Sequence, residues 1–295
     1  MVKASKFNTP LRYPGGKSRI SNFIEDMILL NNLEDSNLYE LYAGGAGASI
    51  NVLFSGLCKK IILNDLDFHI YSFWHSILNQ TDELIKLISD AEVNIKNWDF
   101  QKSIYDDFSN HSILEVGFST FFLNRTNRSG ILYKAGPIGG RDQTGNYLID
   151  VRFNKKNLIN RIIKIADHKD SIEIHNKETI QYLKYIFKLK KKNLIFLDPP
   201  YYNQGENLYM NFYKDSDHEN LSKILQSNQD KNWLLTYDNV DRIKQLYKNS
   251  RRAYFPMTYT LQKKKKDKEV MMISDNLHCP KQLRIGAKSN SLQLI

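Results

Sequence analysis

The chain has 295 residues, 41% hydrophobic and 25% charged, a globular composition of one large domain or two modest ones, not a disordered or collagen-like one. No apolar run reaches the roughly 18 residues of a membrane span. No secretory h-region follows the N-terminus, and Cys58 and Cys279 form no CxxC pair, so a structural zinc site and a disulfide framework are disfavoured and a reducing cytoplasm is expected.

With 42 Lys+Arg against 32 Asp+Glu the formal net charge is +10. That surplus suits a polyanionic partner, since neutralising phosphates releases counterions. It fits the Lys- and Asn-rich coding of an AT-rich genome equally well.

In chain order, residues 11–20 (LRYPGGKSRI) place a Pro-Gly-Gly turn before Lys17, with Ser18 as the expected N-cap of a first helix. Residues 37–42 (NLYELY) read as a buried strand running into the cluster AGGAGAS, and an apolar helix is expected over about 46–55. A second strand at 60–63 (KIIL) ends at NDLD. From there to about residue 152 the alternation stops. Segments 73–88 and 97–108 look helical, 118–124 is an aromatic-rich helix end, and 125–147 is a long Gly- and Arg-containing loop. A loop of that length in a compact domain is usually functional. Strands return at 172–174, 193–197 (NLIFL) and 233–237, with helices expected at 177–187, from Asp217, and at 240–248. Two β-rich stretches, 252–261 and 269–274, close the series, and the tail is frayed or docked on the surface. Strands alternating with helices imply βαβ units in a mainly parallel, doubly wound sheet, here interrupted by a mainly helical insertion.

Two stretches carry chemistry. Gly44, Gly45 and Gly47 follow a strand and precede a helix, the cradle in which backbone approaches a nucleotide-like ligand. Glu40 stands inside that strand. The cluster is neither GxGxxG nor GxxxxGK[ST], which disfavours a dinucleotide or a nucleoside triphosphate. Asp65, 21 residues after Gly44, ends the next strand where an acid can bond a ribose diol. Further on, Asp198, Pro199, Pro200 and Tyr201 follow an all-apolar strand. Prolines lack N–H donors and hold their carbonyls as rigid acceptors. Acceptors beside an aromatic face suit a planar group bearing an NH₂, such as a nucleobase. A turn with an aromatic plug is the plainer alternative.

The order LRYPGGK, ELYAGGAGAS, NDLD, LDPPYY strongly resembles the Dam-like (alpha-group) N6-adenine DNA methyltransferases over about residues 10–274. The resemblance implies a Rossmann-like, S-adenosylmethionine-dependent sheet formed by residues 1–67 and 156–277, a target-recognition domain at 68–155, and a tail at 278–295 of unassigned role. It implies cofactor contacts from Tyr13, Lys17 (near the methionine carboxylate), Glu40, Gly44, Gly45, Asp65 and Asp198. It gives catalysis to Asp198, Pro199, Pro200 and Tyr201, with no metal. Three departures stand out. The middle acidic motif is indistinct, with Glu178 the nearest candidate. Arg128 replaces an aromatic residue in NRTNRSG, and GGRDQTGNYLIDVRFNK stands in place of the NVPFGRY-type stretch of Dam, so GATC specificity does not carry over.

The implied reaction is methyl transfer to the N6 amine of an adenine flipped out of duplex DNA and stacked on Tyr201. Asn124, Arg125, Asn127, Arg128, Lys134 and Arg141 are the candidate DNA contacts, by base readout or phosphate contact. The lysine run 263–266 suits the DNA backbone or a solvated hairpin tip. His218 reads as a helix-start residue and Asp217 as an N-cap. Partners follow from the same likeness: double-stranded DNA, with room for a companion restriction endonuclease, and a monomer or weak dimer in the cytoplasm, associated with the nucleoid. The rival readings are methylation of cytosine N4 or a glutamine amide, and a DNA-binding protein with a retired active site.

Overall fold

The computed structural model describes residues 8–12, 16–202, 213–259, 265–285 and 288–291. Tyr13 and the first half of the 263–266 lysine run lie outside the described residues.

Seven strands form one sheet in the order β3-β2-β1-β4-β5-β7-β6. They are β1 (Asn37–Glu40), β2 (Lys60–Asn64), β3 (Ile172–His175), β4 (Asn193–Leu197), β5 (Trp233–Asp238), β6 (Arg251–Tyr259) and β7 (Lys265–Ile273). The first five run parallel, and β7 enters antiparallel between β5 and β6. Because β4 is buried on both faces, its sequence is an unbroken apolar run.

Alternate residues of each strand feed two cores. Leu38, Leu194, Phe196, Met271 and Ile273 join the cluster containing α1 (Ser21–Leu30), α2 (Gly47–Phe54) and α3 (Phe68–Asn79). Tyr39, Ile195, Leu197, Val270 and Met272 join the opposite cluster, with α8 (Thr179–Phe187), α9 (Asp215–Gln226) and α10 (Asp241–Leu246). The result is a doubly wound, Rossmann-like arrangement.

Between β2 and β3 the chain is helical. Here α3 is followed by α4 (Thr81–Asp90), α5 (Ile95–Asp106), α6 (Ile113–Thr126) and α7 (Lys155–Ala166). The single helix expected over 73–88 is two, broken at Gln80, whose backbone leaves the helical region. The packing of α3 on α6 is tight at Gly117, where a Cβ would stand 2.6 Å from the Ser72 carbonyl oxygen.

Other local expectations shift. A 3-10 turn, Lys17–Ile20, precedes α1, so Ser18 lies inside it and is not an N-cap. Asp217 is likewise not the N-cap of α9. It sits a turn further in and accepts the Lys214 backbone N–H at 2.8 Å, beside the helix's positive end. Helix α7 escaped the sequence reading although Leu158, Ile162 and Ile165 mark its buried face. The tail forms a hairpin, β8 (Gln282–Ile285) with β9 (Lys288–Ser291), docked on α1 through Arg284 and Asp26. Both cysteines are free, and among the described residues no helix is long and apolar enough to cross a membrane.

Candidate active site

Register brings three acids to one edge of the sheet. Glu40 ends β1 level with Leu63 of β2 and Phe196 of β4. Asp65 and Asp198 stand two residues beyond those neighbours, just past the carboxyl ends of their strands. That is where open α/β sheets bind ligands.

The glycine turn joins the first two acids. Gly44 adopts φ 43° and donates its backbone N–H to Asp65 Oδ2 at 2.8 Å. Asp67 donates its backbone N–H to Asp65 Oδ1 at 3.0 Å, and Trp74 holds the Gly44 carbonyl through its indole N–H at 2.9 Å. Burial pushes the Asp65 carboxyl up to about 7, with the Asp67 charge adding to it. Glu40 is fully buried and accepts the Ser49 backbone N–H at 3.3 Å. Burial raises its carboxyl to about 8 despite that bond. The buried Glu40 and half-buried Asp65 carboxyls, both pushed toward neutrality, gain from a cation and from hydroxyl donors.

Asp198 heads the second half of the site. Lys17, itself 3% exposed, lies 2.8 Å from Asp198 Oδ1 and 2.9 Å from Oδ2. Thr236 on β5 donates its hydroxyl to Oδ1 at 2.7 Å. The ammonium is also 3.3 Å from Glu269 and 3.3 Å from the Tyr201 hydroxyl. Burial alone would lower the Lys17 pKa, but the Asp198 and Glu269 carboxylates outweigh it and raise it. Lys17 therefore remains a cation, bound by the protein's own carboxylates. Pro199 is buried and Pro200 half-buried, and Tyr201 is 5% exposed.

Next to this pair lies a tyrosine cluster. The Tyr42 and Tyr213 hydroxyls share a hydrogen bond of 2.6 Å, and His218 Nδ1 lies 2.8 Å from the Tyr237 hydroxyl. Burial drops His218 to about 4, leaving it a neutral packing partner of Tyr202 and Tyr213. Glu178 caps α8, accepting the Ile180 and Gln181 backbone N–H groups at 2.9 and 2.8 Å.

The predicted DNA-contacting residues divide sharply. Asn124 and Asn127 are both fully buried. Asn124 binds the Arg12 backbone on both sides and the Gly130 carbonyl. Asn127 accepts the Trp98 indole N–H at 2.7 Å and donates to the Ile131 carbonyl at 2.8 Å. Both amides are buried and bonded within the protein, so both are withdrawn as base readers. Arg125 is largely buried against backbone carbonyls. Arg141 is exposed but holds Asp99 through two bonds, of 2.9 and 2.8 Å. Arg128 and Lys134 are exposed.

Sequence reasoning missed Glu269, Thr236 and Trp74. Glu269 had a signal, a lone acid at the head of the apolar run VMMI. The other two had none.

A doubly wound sheet with a glycine turn after β1 and Asp-Pro-Pro-Tyr after β4 defines a methyltransferase. Residues 13–266 match the family model described as D12 class N6 adenine-specific DNA methyltransferase, and the chain belongs to that family. It is an enzyme that methylates adenine in DNA, and membership implies use of S-adenosylmethionine.

Among solved structures the chain is similar to the Pyrococcus horikoshii protein PH1948, provisionally described as an RNA methyltransferase. The identity is 10%, over 92% of each chain, with a TM-score of 0.42. It is also similar to the rRNA methyltransferase aviRa from Streptomyces viridochromogenes, at 11% identity over 90% of this chain and 88% of that one, TM-score 0.38. No curated protein matches the chain. Among the described residues no group of three or more His, Cys, Asp or Glu side chains could hold a metal ion.

Proposed function

We propose that the chain transfers a methyl group to the N6 amine of an adenine flipped out of double-stranded DNA, with Asp198, Pro199, Pro200 and Tyr201 at the reacting centre. The observation that carries this reading is Asp198 clamped by Lys17 and Thr236 directly before two prolines and an anchored tyrosine.

Lone-pair accounting shows what Asp198 has left to give. A carboxylate offers about four lone-pair sites. Lys17 and Thr236 occupy up to three, which leaves one for a substrate N–H. The Pro199 carbonyl is the second acceptor, fixed by its ring and by the following proline. With both amine hydrogens held, the nitrogen lone pair points away from the base plane toward an incoming methyl. Positioning and fixed charges then supply most of the acceleration. The excess proton on the methylated amine passes to Asp198 or to solvent. Flipping costs a few kcal/mol, which stacking at roughly 1–3 kcal/mol partly offsets. Since Tyr201 is 5% exposed, the base reaches its ring only by displacing side chains that cover it now.

The residues fit S-adenosylmethionine. When bound, it supplies a methyl group on a cationic sulfur. Glu40, buried and in no ion pair among the described residues, suits an ammonium. Asp65, held by two backbone N–H groups, suits a ribose diol. Gly44 and Gly45 let the backbone come close, and Lys17 holds the Asp198 carboxyl in place beside them. Arg125, Arg128, Lys134 and Arg141, in the 68–155 target-recognition segment, are the DNA-side residues of this reading. A cytoplasmic, nucleoid-associated, monomeric or weakly dimeric enzyme, with or without a companion restriction endonuclease, completes it.

The test is to incubate the purified chain with S-adenosylmethionine and unmethylated genomic DNA, then identify modified bases by mass spectrometry and sequencing. N6-methyladenine in one recurring motif is the expected result. N4-methylcytosine, or no modified base from a protein that binds the cofactor, would overturn the proposal.

A further inference from the structure

Four arginines gather where residues 8–12 pass the end of α6 and the middle of α7. Arg125, near the end of α6, donates Nε to the Arg152 carbonyl at 2.8 Å and an amino group to the Pro10 carbonyl at 3.3 Å. Arg161 on α7 donates to the Thr9 carbonyl at 2.9 Å, and Arg12 to the Asn127 carbonyl at 3.3 Å. Arg152, exposed, stands at the rim.

What the group lacks is an acid. Three arginines elsewhere are matched by acids, Arg242 by Asp215, Arg141 by Asp99 and Arg284 by Asp26, while Arg251 and Arg252 hold backbone carbonyls without like charges pressed against them among the described residues. None of the four clustered ones pairs with a carboxylate among the described residues. Burial first, then the charges of Arg12, Arg161 and Arg152, push Arg125 down to about 9. Burial and then Arg152 lower Arg12, and burial lowers Arg161.

A guanidinium carries five N–H donors. Arg125 spends two on the protein, Arg12 and Arg161 one each. The carbonyl bonds fix the side chains without neutralising them, so the remaining donors are held in place with like charges unrelieved. An oxyanion relieves the repulsion, and a phosphate accepts from several guanidinium forks at once.

We propose that Arg12, Arg125, Arg152 and Arg161 form a docking site for one backbone phosphodiester of the DNA. The inference rests on the duplex-DNA reading above and adds a site to it. Arg12 belongs to the segment leading into Lys17, whereas Arg125, Arg152 and Arg161 come from the helical region. A phosphate seated among them ties the position of the duplex to both. Such a contact sets register and carries no sequence information. The carboxylate of the cofactor has the same acceptor chemistry, so the experiment separates the two anions.

The test uses the full chain and a fluorescent duplex of arbitrary sequence, with affinity measured across a KCl series. The variants are Arg152→Gln, Arg161→Gln, their double, and the charge-keeping Arg152→Lys. Arg12 and Arg125 are left alone as the more buried braces; Arg161 also holds the Thr9 carbonyl, so Arg152→Gln, which breaks no side-chain bond among the described residues, carries the reading if the double variant unfolds. The double variant should shrink the slope of log affinity against log salt by up to about 0.9, the share of one phosphate, with each single glutamine giving part of that loss and Arg152→Lys restoring it. S-adenosylmethionine affinity, read by calorimetry, should hold. An unchanged salt slope in a double variant with a native melting temperature overturns the site. Weaker cofactor binding with an unchanged slope also overturns it, in favour of the carboxylate. A wild-type chain that binds no duplex and forms no methyladenine would instead sink the underlying reading.

Discussion

The Tyr201 hydroxyl donates to Glu269 Oε1 at 2.9 Å, linking the turn after β4 to β7 across the intervening β5. Glu269 shares the strand face of Met271 and Ile273, the face covered by α1–α3. From there it also meets the Lys17 ammonium at 3.3 Å. One buried carboxylate thereby orients the tyrosine ring and helps keep Lys17 charged.

That relationship separates two substitutions. Glu269→Gln keeps an acceptor for Tyr201 but removes a charge from Lys17, so the fold should survive with reduced turnover. Glu269→Ala strands a buried hydroxyl and weakens a buried ion pair, and should cost about 3–5 kcal/mol. Urea denaturation beside steady-state methylation distinguishes them. Equal stability of the two variants would contradict the geometry.

Asp198→Asn should lower turnover by at least about 10²-fold, because an amide accepts at only one of its two positions and carries no charge. Lys17 keeps Glu269, so the melting temperature should change little. Turnover near wild type would remove Asp198 from the reacting centre.

Glu40 and Asp65 predict how the protein responds to pH. In the fold their carboxyls hold protons up to about 8 and about 7, whereas their ordinary values are 4.5 and 3.8. Between the ordinary and the raised values the folded state binds more protons than the unfolded one. Stability of the cofactor-free chain should therefore fall as pH rises through that window. Affinity for S-adenosylmethionine should rise over the same window, since ionised Glu40 suits a bound ammonium. Denaturation midpoints and calorimetry from about pH 5 to about pH 8 read both trends. Glu40→Gln should flatten the affinity trend and leave only the Asp65 share of the stability trend.

The sheet was legible because its strands are short apolar runs closed by acids or glycines. The run NLIFL at 193–197 occupies β4 end to end. The strand-end acids were legible for the same reason, since an acid after a buried strand has few structural uses. What escaped depends on distance in sequence. Glu269 meets Lys17 only because β7 folds back between β5 and β6. The arginine cluster is assembled from three separate stretches. Asn124 and Asn127 misled because an amide looks the same in sequence whether it reads a base or caps a carbonyl.

Asn127→Ala tests that last distinction. The substitution leaves the Trp98 indole N–H and the Ile131 carbonyl without partners in a buried setting, at a cost of about 1–3 kcal/mol. The recurring methylated motif should stay the same. A changed motif at unchanged stability would return Asn127 to the DNA interface.

Gly130 couples the helical region to the segment that leads into Lys17. It adopts φ +74°, and a Cβ there would run into the Arg12 carbonyl and side chain. Asn124 holds that same Arg12 carbonyl and the Gly130 carbonyl with one amide, at 2.8 Å each. Gly130→Ala therefore meets both a left-handed backbone penalty of about 1–2 kcal/mol and a clash that something must relieve. The clash is relieved by moving residues 8–12, five residues from Lys17, so turnover should fall more than the loss of stability alone explains. Gly136→Ala, where a Cβ meets nothing within 4 Å, is the control and should be near neutral. Equal behaviour of the two variants would show that the Arg12 contact has no bearing on where Lys17 stands.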